Sequence, residues 1–263
     1  MSTSEKKPGI KTCWLVLNYR CNNRCEGCYA RHSGFADQEM DLHQAERYLK
    51  LATHLGAIDC LLIGGEPTLY PQLEELINHG PELGIGFKLV TNGRRLSNHH
   101  YLEALIRAGL KHVSISIEGA TSETHNGVTR ANSFTEVITS INNCIDMGIS
   151  FNTLLTISRH NKREVIELAR ILHQMGVKNI LYNIGLPSPG TTEETGTDEF
   201  VLTPREAASI IKEAYWTLRN EGIKVKFFAT IPLCLLDAET LTAMLSDGSI
   251  SNGEYLTSAT KFR

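Results

Sequence analysis

The sequence predicts an α/β fold with a parallel sheet built from about six strand–helix units. One pattern recurs along the chain: an amphipathic helical stretch, a Gly followed by an apolar residue, then a short β-rich run. The pairs are Gly56-Ala57, Gly84-Ile85, Gly109-Leu110, Gly148-Ile149, Gly176-Val177 and Gly222-Ile223. Gly suits the position just past a helix end because it takes positive φ without strain. A first run at 13–18 opens the series, and those at 60–63, 87–91, 112–117, 151–157 and 179–184 follow. They are nearly continuous apolar runs, as expected of strands covered on both faces. Alternating strands and helices imply right-handed crossovers in a parallel sheet, either open and doubly wound or a partial barrel. Either form places the functional site at the carboxyl ends of the strands.

The intervening helices carry start signals. Asp41 with Gln44, Ser133 with Glu136, and Thr203 with Glu206 read as capping boxes, the last with Pro204 at the first helical position. Within 134–147, Val137, Ile138, Ile141, Cys144 and Ile145 share one face, which makes Cys144 a core residue. The domain division expected is a flexible N-terminus over 1–12, the (βα)6 core over 13–222 and an appendage over 223–263. The appendage reads as a strand at 224–231, a short helix near 237–246 and a polar tail. Residues 186–203 are acidic and rich in Pro, Gly and Thr; they read equally as a solvated loop or a cover for the substrate.

Composition narrows the function classes. The chain has 263 residues, 41% hydrophobic and 21% charged, which is globular and long enough for a real core. Lys and Arg total 26 against 29 Asp and Glu, a net charge of −3 with both signs scattered. That balance argues against a nucleic-acid binder. No apolar run approaches the ~18–20 residues of a membrane helix, and the opening MSTSEKKPGIKT has no signal-peptide core. Seven cysteines, an odd number, three of them bunched, point to a metal site in a reducing, cytoplasmic setting. The ten histidines show no ligand-like pairing, and His99-His100 reads as a solvated helix opening.

The strongest local feature is CNNRCEGC, which spaces Cys21, Cys25 and Cys28 as C-x3-C-x2-C just after the first strand. Three thiolates on one loop can hold three corners of an iron–sulfur cluster and leave one iron open. The alternative is zinc held by the three cysteines and His32. A second feature, Gly64-Gly65-Glu66-Pro67, follows the second strand at the same sheet edge. Its glycines permit close backbone approach to a ligand, and Glu66 offers an acceptor for an ammonium group.

With these two motifs in register the sequence resembles the radical S-adenosylmethionine (radical SAM) superfamily over about residues 13–186. The resemblance implies a partial (β/α)6 radical SAM barrel with a short C-terminal strand–helix appendage. It also implies a [4Fe–4S] cluster on Cys21, Cys25 and Cys28, with SAM chelating the open iron. Reductive cleavage of SAM to a 5′-deoxyadenosyl radical would then abstract a hydrogen atom from a substrate. By the same resemblance Gly64, Gly65 and Glu66 receive the SAM amino group, Tyr29 lies near the adenine, Ser116 contacts SAM and Arg130 pairs with its carboxylate. Glu118 stands where the family usually has Asp, and Gly27 replaces the usual aromatic before the third cysteine. Asn92, in VTNG, is a turn residue first and a cofactor contact second.

The stretches IEGATSETHNGVTRANSF, NTLLTISRHN and IPLCLLD resemble the branch whose members often carry a Cys-rich (SPASM or twitch) C-terminal extension. Only Cys234 follows Cys144, so this sequence lacks the cysteines of such a module. That branch implies a maturase acting on a peptide or protein residue. The alternatives are a radical SAM enzyme acting on a small molecule in cofactor biosynthesis, and a non-catalytic cluster or zinc protein. The expected partners are the substrate and an electron donor such as flavodoxin or ferredoxin, with neither nucleic acid nor membrane.

Overall fold

The fold is seen in a computed structural model that describes residues 9–28, 30–31, 35, 38–186, 197–228 and 231–250. Tyr29, His32, most of the 186–203 segment and the tail from 251 lie outside the described residues. Seven strands form one parallel sheet in chain order. They are β1 (Thr12–Val16), β2 (Asp59–Ile63), β3 (Gly86–Thr91), β4 (Leu110–Ser116), β5 (Phe151–Ile157), β6 (Ile180–Ile184) and β7 (Val225–Phe227). The strand of the expected appendage is β7, which pairs with β6 through Ile180↔Val225 to Tyr182↔Phe227 and extends the same sheet.

The helices are α1 (Leu42–His54), α2 (Leu73–Asn78), α3 (Gly80–Leu83), α4 (His99–Ala108), α5 (Ser122–Thr129), α6 (Phe134–Asp146), α7 (Val165–Gln174), α8 (Thr197–Phe200), α9 (Pro204–Asn220) and α10 (Ala238–Asp247). All six glycines expected at helix ends have positive φ, from 66° at Gly148 to 114° at Gly109.

Burial along the strands alternates. Cys60 and Leu62, Phe87 and Leu89, Val113 and Ile115, and Tyr182 and Ile184 are buried, while their neighbours on the other face are half-buried. The expectation of strands covered on both faces is therefore corrected: helices cover one face, and the other is the concave face of a partial barrel. Leu49 of α1, Leu105 of α4, Ile141 and Cys144 of α6, and Ile211 of α9 complete the core on the helix side.

Two of the three start signals hold as caps. The Asp41 carboxylate accepts from Gln44 N–H at 2.8 Å, and Thr203 with Glu206 forms a full capping box. The Ser133–Glu136 box does not form. The Ser133 hydroxyl is buried against His125 Nε2 at 3.0 Å, and Glu136 turns to Arg94. Asn126 Oδ1 caps α6 instead, accepting from the N–H groups of Ser133 (2.9 Å) and Phe134 (3.1 Å).

Candidate cluster and cofactor site

The chain leaves β1 and runs across the β2 loop before reaching the cysteines. Gly65 N–H donates to Asn18 C=O at 2.8 Å, and Glu66 N–H to Arg20 C=O at 2.8 Å. A Cβ on Gly64 would fall within 3.0 Å of the Asn18 carbonyl oxygen, and one on Gly65 within 3.0 Å of those of Tyr19 and Arg20. The two glycines are thus required by the protein's own backbone, which locks the GGEP strip against the approach to Cys21.

Glu66 is 1% exposed, and its carboxylate faces inward. Oε1 accepts from Thr68 N–H (3.0 Å), the Thr68 hydroxyl (2.6 Å) and the Thr91 hydroxyl (2.7 Å). Oε2 accepts from Asn92 N–H at 2.7 Å. Burial pushes this carboxyl up and the donors from Thr68, Thr91 and Asn92 pull it back. All four contacts are donors, the arrangement an ionised carboxylate needs. The acceptor expected for an ammonium group thus joins the β2 loop to the end of β3.

Asn92 carries that connection to the cysteines. Its Nδ2 donates to Asn22 Oδ1 at 2.7 Å and approaches Cys21 Sγ at 3.7 Å. Asn23 N–H donates to the same sulfur at 3.4 Å. Arg94 adds a second tie: Nη1 donates to Asn22 C=O at 2.5 Å and Asn23 Oδ1 at 3.3 Å, while Nε meets Glu136 of α6 at 2.5 Å.

From the other side, α5 and its C-cap hold the loop. Arg24 N–H donates to Thr129 C=O and Glu26 N–H to Val128 C=O, both at 3.0 Å. Glu26, between the second and third cysteines, pairs with Arg130 at 3.5 Å and with His160 at 3.3 Å. Arg130 is the one non-glycine of positive φ (50°) among the described residues, a conformation that costs a side-chain-bearing residue energy and persists where its surroundings impose it. Ser116 ends β4 half-buried on the concave side, following the parity of Ser114. Beyond it, Glu118 accepts from Thr156 N–H at 3.2 Å, and desolvation pushes its carboxyl up to about 7.

The loops of β1 to β5 therefore converge on the cysteines. The structure brings Gly64, Gly65, Glu66 and Arg130 against that loop. Arg94, Asn22 and Glu26 also tie down this loop, and the sequence reading did not single them out. No periodicity marks them, because their partners lie on other loops.

The donor set fits the iron–sulfur group that the resemblance implies. Cys21 reaches the surface, yet the protein around it, together with Glu66 and Cys28, pushes its thiol up to about 11. Cys25 is raised further, by burial first and then by Glu118, Cys28 and Cys21. Burial and mutual repulsion favour the neutral form of both thiols, and a bound cationic centre would offset them, since metal binding releases the thiol protons. Among the described residues, the one trio of His, Cys, Asp or Glu ligand atoms within 4.8 Å of one another is His99, His100 and Glu103, all exposed. The three cysteine sulfurs are not such a trio, so at least one pair of them is more than 4.8 Å apart, wider than the ~3.8 Å edge of a single zinc tetrahedron with ~2.3 Å bonds. A cluster that spreads its ligands over several irons accommodates that spacing.

Known proteins share this architecture. Fe-coproporphyrin III synthase of Methanosarcina barkeri is 26% identical over 227 residues, covering 84% of this chain and 54% of its own length. A probable GTP 3′,8-cyclase of Saccharolobus islandicus is 28% identical over 178 residues, covering 65% of this chain and 57% of its own length. SuiB of Streptococcus suis, bound to its precursor peptide SuiA, has the same fold, with a TM-score of 0.70 at 15% identity. That match covers 82% of this chain and 48% of SuiB. The chain spans about half the length of these relatives. The family model described as the radical SAM superfamily matches residues 15–172, more than half of the sequence, and on that match the chain belongs to the radical SAM superfamily.

Proposed function

We propose that this chain is the catalytic barrel of a radical SAM enzyme, with Cys21, Cys25 and Cys28 holding a [4Fe–4S] cluster. The observation that supports the reading is the convergence of four other loops on the cysteine loop, which ties down Asn22, Arg24 and Glu26 between the three cysteines. The chemistry that cluster and SAM supply when bound is one-electron cleavage of a carbon–sulfur bond and abstraction of a hydrogen atom from a substrate. The chain's own part is positioning. Gly64 and Gly65 let the GGEP strip lie flat against the loop, and Glu66 holds the strip from beneath. Arg130, 41% exposed and only loosely paired with Glu26 at 3.5 Å, keeps donors for a carboxylate. Ser116 and Tyr29 complete the proposed SAM contacts, and Glu118 closes the site from β4.

The substrate we infer is a residue of a peptide or protein. Among the described residues, β1 and β7 are the two edges of the sheet and do not pair with each other. A polymer can therefore present one residue to the concave face while its flanks stay outside. A small-molecule substrate is the second reading. It is favoured by the similarity to Fe-coproporphyrin III synthase, a match that covers 84% of this chain and whose name concerns a porphyrin.

The test is anaerobic reconstitution with iron and sulfide, reduction with dithionite, and EPR with and without SAM. A cubane signal that shifts on adding SAM is expected, and it should be lost in Cys25→Ala. A colourless protein that retains zinc, or a cluster blind to SAM, refutes the reading.

A further inference from the structure

Cys13 and Cys60 take no part in the site described above. They stand opposite each other on β1 and β2 as Cα partners of a parallel pair. Their side chains share the helix-facing side of the sheet with Leu15 and Leu62. Adjacent strands lie about 4.8 Å apart, within the roughly 4.4–6.8 Å of Cα separation that a disulfide spans. In register on neighbouring strands, the two thiols lie side by side, which draws Cys13 below its ordinary range and, with burial, pushes Cys60 up.

Access divides the pair in the same sense. Cys60 is fully buried, whereas Cys13 is half-buried. Cys13 lines a cavity of about 280 Å³ with Met40, Tyr48 and Leu49. Among the described residues β1 is an edge strand, with no further strand beside it on this side. An accessible thiol that ionises readily beside a buried partner is the arrangement of an attacking and a resolving cysteine.

We propose that Cys13 and Cys60 form a thiol–disulfide exchange site for low-molecular-weight disulfides such as glutathione disulfide, with Cys13 attacking and Cys60 resolving. In the first step the Cys13 thiolate bonds to one sulfur of glutathione disulfide and expels one glutathione thiolate. In the second, Cys60 passes its proton to that thiolate, attacks the Cys13 sulfur and expels the second glutathione thiolate. The latter takes up the proton that Cys13 had shed. Two protein thiols are oxidised to one bridge, and one glutathione disulfide is reduced to two glutathiones. The bridge ties the edge strand to β2 upstream of the cluster loop, and its order of formation follows from access, since Cys60 is reached only through Cys13.

The experiment uses the cluster-loaded chain under anaerobic conditions. It is treated with glutathione disulfide, quenched by alkylation, digested and read by mass spectrometry. A peptide pair cross-linked through Cys13 and Cys60 is expected, and dithiothreitol should release it. In Cys60→Ala the adduct should stop at glutathionylated Cys13; in Cys13→Ala, Cys60 should remain a free thiol. On the unsubstituted protein, iodoacetamide should label Cys13 at least about tenfold faster than the buried Cys144. The proposal fails if both thiols stay reduced while the exposed Cys234 is glutathionylated. It also fails if Cys13 labels no faster than Cys144, or if Cys60 is modified when Cys13 is absent.

Discussion

Replacing Glu66 by Gln tests whether the cysteine loop is held from beneath. Oε1 takes three donors, from Thr68 N–H, the Thr68 hydroxyl and the Thr91 hydroxyl, and Oε2 takes Asn92 N–H at 2.7 Å. A carboxylate accepts at both oxygens; an amide accepts at one. The placement that keeps most bonds leaves the amide NH2 pointing at Asn92 N–H, donor against donor. One donor with its bond unmade costs about 1–3 kcal/mol, or a melting temperature lower by roughly 2–12 °C for a chain of this size. The damage should spread, because Asn92 Nδ2 also holds Asn22 and approaches Cys21. Urea midpoints and iron per chain after gel filtration, measured on wild type, Glu66→Gln and Thr91→Val, would separate these effects. Thr91→Val removes the hydroxyl's bond to Glu66 and the one it accepts from Gly93 N–H, without a donor clash at Asn92, so it should lose stability and keep iron, whereas Glu66→Gln should lose both. A Glu66→Gln variant within about 0.5 kcal/mol of wild type and with full iron would refute the reasoning.

Three other outcomes follow from the same geometry. Gly65→Ala places a methyl group against the Tyr19 and Arg20 carbonyls and should cost at least about 2–3 kcal/mol by denaturant titration; Gly148→Ala, which meets nothing within 4 Å, should cost only the αL penalty of about 1 kcal/mol. Arg94→Met removes the donors to Asn22 and Asn23, so iron should be stripped faster by a chelator while the circular dichroism of the fold stays the same. Acidification should weaken the fold through His125, which burial lowers to about 4 from an ordinary 6.5. Unfolding lets this histidine take a proton near pH 6.5, so its stabilisation is present above that pH and is lost as pH falls from 6.5 to 4. The change is up to about 3 kcal/mol, and stability curves of His125→Gln should flatten over that window.

Local periodicity made much of this protein legible. The strand runs, the six helix-ending glycines, the Asp41 and Thr203 caps and the core position of Cys144 depend on neighbours within a few residues, and such patterns survive in one dimension. The cysteine triplet and GGEP were legible for a related reason: both fall just after a strand, and a parallel sheet sends every such loop to one edge. Family resemblance then supplied the cluster and SAM, which spacing alone left open against zinc.

Tertiary structure decided what each of those residues does. Ser133 looked like a cap, yet its hydroxyl is taken by His125 and the capping passes to Asn126. Glu66, expected to offer an acceptor to an ammonium group, also gathers donors from Thr68, Thr91 and Asn92. Gly64 and Gly65 make room for the chain itself, and Arg94 and Glu26 become clamps of the cysteine loop. The physical reason is the same throughout. A side chain's role here is set by which donors, acceptors and charges surround it, and those come from loops distant in sequence that only the closing of the sheet brings together.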